Sequence, residues 1–247
     1  MKAFQQSDLL NSVNGLKAGI TFASRNSLNS EGIIRGLNLG ENTNAPQAEV
    51  DKNFEIFFRE LGLKPDQLAR AEQVHGGEVK IVSQPGYYLG VDGLVTRQKH
   101  LTLAIKVADC AAVLLADPTT QTIAAVHAGW RGAAANILPS ALQKMQSLGC
   151  EMNDVSAYIS PCISVQNFEV GEEVAAKFDD SFIDRTIGPK PHLNLKSFLT
   201  QQLLEAGISR DSIDVDSKCT IEDERFYSFR RERSQAGRML AFITFES

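Results

Sequence analysis

Three side chains in this sequence have the types and setting for chemistry: His75, Cys110 and His127. Two apolar runs, Ala111–Ala116 and Ile123–Val126, flank Asp117-Pro118-Thr119-Thr120-Gln121, a cluster of turn formers. The pattern predicts two buried strands joined as a hairpin. A turn centred on Pro118-Thr119 would set Cys110 directly across from His127, both on one face. His75 stands at the lip of a second hairpin predicted over Ala71–Val82, with its turn at Gly76-Gly77. Two imidazoles and a thiolate suit zinc, and three protein ligands leave the fourth tetrahedral position to water, the catalytic arrangement. Zinc would lower the pKa of that water toward ~7 or polarise a substrate oxygen. A nucleophilic reading uses the same residues: Cys110 attacks, His127 or His75 is the base, and Asp109 orients or handles a proton. The bland alternative is a buried thiol beside two ordinary histidines.

Gly129-Trp130-Arg131-Gly132 opens a predicted helix, where free N–H groups, the helix dipole and the Arg131 fork favour an anion. Without an anion, the glycines serve close packing and Arg131 is solvated. Arg230-Arg231 could clamp an anion or form a solvated face with Glu232. Trp130, the only tryptophan, could stack on a base or fill the core. Glu72 and Glu169 are acid–base candidates only if the fold brings them to the metal. His100 and His192 have no partner in the sequence pattern. There is no H-x-E with P-C-x-x-C, so the usual zinc deaminase signature is absent.

The elements that must position these groups read as α+β: layered mixed and antiparallel sheets with flanking helices, in a single domain over residues 1–247. Strands are predicted at Ala18–Ala23, Val91–Thr96, Leu101–Val107, Val155–Ile159, Phe226–Phe229 and Met239–Phe245. A helix capped by Asn44 would start near Pro46, bury Val50, Phe54, Phe57 and Leu61, and end at Gly62. Further helices are predicted over Gly132–Leu148, with Pro139 as a kink or a start, and over Phe168–Phe178 and Leu195–Ala206.

With 247 residues and 43% hydrophobic content, the chain can bury a substantial core. A net charge of −5 gives no basic footprint for nucleic acid. The first residues lack a long apolar segment and no run approaches a membrane span, so the expectation is a cytoplasmic protein with no membrane partner. Four cysteines, Cys110, Cys150, Cys162 and Cys219, are scattered as thiols or ligands rather than as a disulfide framework. Four histidines are too few for several imidazole-rich copper sites but enough for one mononuclear centre.

Gln73-Val74-His75-Gly76, Ala108-Asp109-Cys110 and Val126-His127-Ala128-Gly129-Trp130-Arg131-Gly132 together resemble the signature of one family. It is the multicopper polyphenol oxidase or laccase-like family, later associated with purine nucleoside phosphorylase activity. The resemblance continues through Leu37-Asn38-Leu39-Gly40, Phe168-Glu169-Val170-Gly171, Cys219-Thr220, Phe226-Tyr227-Ser228, Arg230-Arg231 and Gly237-Arg238-Met239. It implies zinc at His75, Cys110 and His127, and phosphorolysis of adenosine, inosine, guanosine and methylthioadenosine, with adenosine deamination alongside. The expected partners are therefore a nucleoside and phosphate. On the same ground Asp109 and Cys110 are the candidate catalytic residues, and Arg25, Asn38, Gln73, Arg131, Glu169 and Arg230 the candidate substrate or phosphate contacts. The sequence departs from the family pattern at Asn26, Phe54, Val107, Ser160, Asn194 and Glu232. Three other readings stand beside this one: a cysteine hydrolase acting on an amide, a binding protein with structural zinc, and, weakest, a copper-dependent polyphenol oxidase. Such a ligand set captures copper in vitro by the Irving–Williams order, so weak oxidase activity would prove little.

Overall fold

The computed structural model describes residues 4–23 and 36–246; Arg25 and Asn26 lie outside the described residues. The strands are β1 (Phe4–Gln6), β2 (Leu16–Thr21), β3 (Leu68–Ala71), β4 (Val79–Ile81), β5 (Gly86–Tyr88), β6 (Gly93–Thr96), β7 (Thr102–Val107), β8 (Ala111–Asp117), β9 (Thr122–Ala128), β10 (Ser156–Ile159), β11 (Ile183–Asp184), β12 (His192–Leu193), β13 (Ile213–Val215) and β14 (Met239–Phe245). The helices are α1 (Asp8–Asn11), α2 (Gln47–Leu61), α3 (Trp130–Ala134), α4 (Ile137–Ser147), α5 (Glu172–Ala175), α6 (Leu195–Glu205) and α7 (Phe229–Glu232). Two six-stranded sheets carry the fold, ordered β1-β2-β14-β7-β3-β5 and β13-β10-β8-β9-β6-β4. This is the mixed α+β single domain that the pattern predicts.

Side-chain alternation sorts the strands into layers. On β8, Ala112, Leu114 and Ala116 join Ile20, Leu103, Ile105, Met239 and Ala241 in a core between the two sheets. The alternate residues Ala111, Val113 and Leu115 pack with Ile137, Leu142, Leu199 and Leu203 of α4 and α6. On the far side, Leu240 and Phe242 of β14 pack with Phe57 and Leu61 of α2. The order is helix, sheet, sheet, helices. A double-sided apolar burial explains why β8, β9 and β14 read as continuous apolar runs. Among the described residues, no helix is long and apolar enough to cross a membrane.

Between β3 and β8 the chain alternates sheets. β3, β5 and β7 belong to the first sheet, with β3 parallel to both its neighbours, while β4, β6 and β8 belong to the second. The segments 72–78, 89–92 and 108–110 therefore all cross from first sheet to second at one end of the sandwich. His75, Asp92 and Cys110 sit on these three crossings.

Several expected elements are corrected. Ala71–Val82 is not a hairpin: β3 and β4 lie in different sheets, each paired with later strands. The β8–β9 register pairs Ala112 with His127, so Cys110 stands two residues from the predicted position, next to Gly129. The cause is the loop: Asp117 accepts bonds from the Thr119 and Thr120 amides at 2.8 and 3.2 Å, and Gln121 turns left-handed at φ 56°, placing the centre at Thr119-Thr120. A shift of two preserves the face, so Cys110 and His127 still converge diagonally. The helix expected over Gly132–Leu148 is broken at Asn136, φ 60°, into α3 and α4, and Pro139 sits in the first turn of α4. Only Glu172–Ala175 of Phe168–Phe178 is helical. Phe226–Phe229 is not a strand: 226–228 is irregular, Phe229 opens α7, and Ser228 Oγ caps that helix by accepting the Arg231 amide. Finally, α2 starts after Pro46 without a side-chain cap from Asn44.

Candidate metal centre and cleft

His127 is the penultimate residue of β9, its side chain on the inter-sheet face, while Asp109, at φ 79°, makes the sharp turn that delivers Cys110 from β7 to β8. His75 reaches the same point from the first crossing with a left-handed backbone at φ 59°. One ligand atom from each of the three lies within 4.8 Å of the others, the one such metal-capable group among the described residues. The two imidazole rings stand edge to face, 4.9 Å between centroids. A tetrahedral zinc with bonds of ~2.0–2.3 Å holds its donors about 3.5 Å apart, so small side-chain adjustments close this set around an ion. The donors fit.

Asp92 organises both histidines. Its carboxylate is buried with no exposure and accepts His127 Nδ1 at 2.7 Å and the His75 amide at 2.9 Å on one oxygen. The Val74 and Gly76 amides donate to the other at 3.1 and 2.7 Å. A proton on Nδ1 leaves the Nε2 lone pair of His127 free as a ligand, the usual carboxylate–histidine support of a metal site. Burial raises the Asp92 pKa, but the His127 bond and the backbone N–H groups outweigh it and hold the carboxyl below its ordinary value. Around Cys110 the same contest occurs. Burial pushes the thiol up, yet the His127 charge and bonds to both imidazoles bring it down to about 6. His127 is depressed by burial but raised to about 9 by the Cys110 thiolate and Asp92. Without metal, these two form a thiolate–imidazolium pair. Two glycines make the room: a Cβ at Gly129 would stand 2.8 Å from Cys110 Sγ, and one at Gly132 would stand 2.9 Å from the Gly76 carbonyl.

The cluster opens on a cleft of about 550 Å³, within the range of small-molecule sites. Five cations line it, Lys106, Arg131, Arg230, Arg233 and Arg238, together with the rings of Tyr87, Trp130, Phe168 and Phe229. Arg131 stacks 4.2 Å over Trp130, and Arg230 and Arg238 lie 5.8 and 5.7 Å from the Phe168 and Phe229 centroids. Two carboxylates, Glu72 and Asp109, also line it, so cations outnumber acids five to two in a protein of net charge −5.

Residues 19–246 match the family described as multi-copper polyphenol oxidoreductase laccase. The chain belongs to that family. A purine nucleoside phosphorylase of Deinococcus radiodurans is 36% identical over 217 residues, spanning 87% of this chain and 84% of its own. One from Mycobacterium tuberculosis is 36% identical over 215 residues, 85% and 84% of the two chains. Among solved structures, the hypothetical protein YfiH of Bacillus licheniformis superposes with a TM-score of 0.90 at 28% identity, covering 100% of this chain and 97% of that one. YlmD from Geobacillus stearothermophilus gives 0.89 at 27% identity over 100% of both. The laccase-like family is thus an enzyme family, and its multi-copper description meets here a single His-Cys-His cluster among the described residues.

The other expected residues divide. Arg131 and Arg230 line the cleft. Asp109 also lines it, but both its oxygens are engaged, accepting Thr220 Oγ1 and the Arg230 amide, each at 2.6 Å. Gln73 reaches the cleft wall, where its amide pairs twice with the Lys106 backbone, donating to the carbonyl and accepting from the N–H, both at 2.7 Å. Asn38 is buried beneath the cleft edge and accepts the Gly40 and Arg238 amides at 2.9 and 2.8 Å. The Glu169 carboxylate points away to Lys190 at 2.9 Å, while its backbone carbonyl accepts Arg230 Nη2 at 3.1 Å. Glu72 accepts the Gly90 amide at 3.2 Å. His192 donates Nδ1–H to the Val165 carbonyl at 2.7 Å, away from the cluster. Of the departures, Asn194 caps α6, Ser160 Oγ accepts the Ala112 amide at 3.0 Å, Phe54 stacks under Arg70 at 4.8 Å, Val107 is buried against β14, and Glu232 pairs with Arg231. Sequence reading missed Asp92, Arg233 and Arg238. The available signal for Asp92 was an acid inside the apolar run Val91–Val95, since a buried carboxylate must be partnered.

Proposed function

We propose that this chain is a zinc-dependent purine nucleoside phosphorylase acting on adenosine, inosine, guanosine and methylthioadenosine. The observation that carries the reading is an arginine-rich, aromatic-lined cleft opening onto the His75–Cys110–His127 cluster, in a chain whose relatives are named purine nucleoside phosphorylases. In phosphorolysis a phosphate oxygen bonds to the ribose C1′, the C1′–N9 bond breaks with its electrons passing to the purine, and the base takes up a proton. Arg131 and Arg230 hold the phosphate as charge-assisted donors, and the rings of Trp130 and Phe168 hold the purine face. Asp109 fixes the Cys110 turn and the start of α7, so that Arg230 and the cluster keep one geometry. When bound, zinc supplies a Lewis acid and acidifies water, the chemistry that adenosine deamination at C6 also requires. Copper is the expected competitor for the same ligands in vitro.

The test pairs elemental analysis of protein purified without added metal with a phosphate-dependent assay on adenosine and inosine, repeated on Cys110→Ala. Near-stoichiometric zinc, lost together with turnover in the variant, supports the reading. Stoichiometric zinc with no nucleoside turnover overturns it. The thiolate–imidazolium pair of Cys110 and His127 supports a second reading, a cysteine hydrolase acting on an amide. That enzyme would be inactivated by thiol alkylation and keep full activity after chelation.

A further inference from the structure

We infer that the cleft contains a second anion subsite, built on Arg233 and Arg238, that takes the phosphomonoester of a 5′-phosphorylated purine nucleoside. The inference rests on the phosphorylase reading for the purine and deepens its substrate class. Four arginines, Arg131, Arg230, Arg233 and Arg238, line one cleft, and among the described residues none of them forms an ion pair. Elsewhere among the described residues, Arg59, Arg70, Arg185, Arg225 and Arg231 are each paired with a carboxylate, and Arg97 and Arg210 are not. The guanidinium groups of Arg230 and Arg238 bond only to neutral groups: Arg230 Nη2 to the Glu169 carbonyl, and Arg238 Nη1 to the Ala236 and Gly237 carbonyls at 2.8 and 2.9 Å. A neutral nucleoside with one inorganic phosphate brings a single anion, which Arg131 and Arg230 accommodate. That leaves two guanidinium groups, Arg233 and Arg238, without an ion pair.

The backbone at Arg233 marks that surplus as built. Its φ and ψ are 56° and −130°, a region that glycine fills without strain and a residue with a β-carbon does not. The chain nevertheless carries an arginine there, an exposed residue among those lining the cleft. Arg238 is fixed independently. It immediately precedes β14, whose Met239 pairs with Val107 at the cluster end of β7, and Asn38 accepts its amide. Its guanidinium packs beside Phe229, a ring 47% exposed and so available to a ligand. Burial holds the Arg238 pKa below its ordinary value although the charges of Cys110, Asp109 and Glu232 act against it, and an incoming phosphate would add to that opposition.

Calorimetric titration of the metal-loaded protein, in low-salt buffer free of phosphate, tests this with adenosine, adenosine 5′-monophosphate, ribose 5-phosphate and inorganic phosphate. The monophosphate is expected to bind about tenfold or more tighter than adenosine, as two charge-assisted contacts allow. That ratio should fall close to one in Arg233→Ala and in Arg233→Gly. The glycine variant should also melt at a higher temperature than the alanine variant, because it fits the backbone, so loss of binding there is not loss of fold. A monophosphate that binds no tighter than adenosine overturns the inference, as does a ratio that survives in both variants. So does inorganic phosphate or ribose 5-phosphate matching the nucleotide's affinity, which would make this a site for phosphate alone. Arg233-dependent nucleotide binding with no phosphate-dependent turnover of adenosine would overturn the phosphorylase reading and leave the subsite standing. Absence of binding by both adenosine and the monophosphate would overturn both.

Discussion

Asp92→Asn is nearly isosteric and removes one charge from a carboxylate that serves four N–H donors. The two oxygens divide those donors in pairs, His127 and His75 on one, Val74 and Gly76 on the other. An amide has one acceptor oxygen, so in either orientation two donors face an NH2 group. Each stranded donor costs roughly 1–3 kcal/mol, giving a loss of about 2–6 kcal/mol in the folded protein. If the NH2 faces His127, the ring must present Nδ1 as an acceptor and carry its proton on Nε2, which removes the lone pair aimed at the metal. Loss of such a support typically weakens metal binding 10–100-fold, or about 1.4–2.7 kcal/mol. Urea unfolding of the metal-free protein would measure the first quantity, and zinc competition against a chromophoric chelator the second. A variant that unfolds at the wild-type midpoint and holds zinc within about twofold of wild type would refute the reasoning, because Asp92 would then position neither histidine.

Four further outcomes are expected. Gly129→Ala puts a β-carbon 2.8 Å from Cys110 Sγ; the displaced sulfur should cost of order 100-fold in turnover while circular dichroism stays native. In metal-free protein, the alkylation rate of Cys110 should rise with an apparent pKa of about 6, and a profile rising at the ordinary thiol value would remove the ion pair. The signs for stability are opposite in the two partners. The depressed Cys110 pKa contributes stability present above its ordinary value and lost as pH falls through about 6, whereas the raised His127 pKa contributes stability present below its ordinary value and lost as pH rises through about 9. Between those values the gain from Cys110 and the loss from His127 cancel, so the stability of metal-free protein due to this pair should be nearly flat there, as urea midpoints across pH would show. Chelation should leave a folded, inactive chain, because the three apolar cores do not include the metal ligands His75 and His127 and carry the layers themselves. Unfolding on chelation, seen by circular dichroism, would instead make the metal structural.

The cluster was legible because local pattern carries it. Ala111–Ala116 and Ile123–Val126 are apolar runs around turn formers, and an error of two in register leaves Cys110 and His127 on one face. His75 was placed correctly in space for a reason the sequence did not contain. Its flanking strands pair across long separations in two sheets, and no local signal distinguishes that from a hairpin about Gly76-Gly77. Helix breaks were the other difficulty. Asn136 adopts a left-handed conformation inside a stretch of good helix formers, and Ser228 caps a short helix within a segment whose Phe226 and Tyr227 suggest a strand. The arginine content of the cleft was hidden because Arg131, Arg230, Arg233 and Arg238 come from two distant parts of the chain. Their convergence depends on β14 lying beside β7.

The alternation of strands between the sheets separates the working end of the sandwich from an end free to vary. The connections 82–85 and 97–101 return the chain from second sheet to first, opposite the crossings that carry His75, Asp92 and Cys110. Lengthening a return changes neither the register of the strands nor the three crossings, so insertions can accumulate there without retuning the cleft. A lengthened crossing would move a ligand or its support directly. Length variation among relatives should therefore concentrate on the returns, and grafted peptides should be tolerated there first.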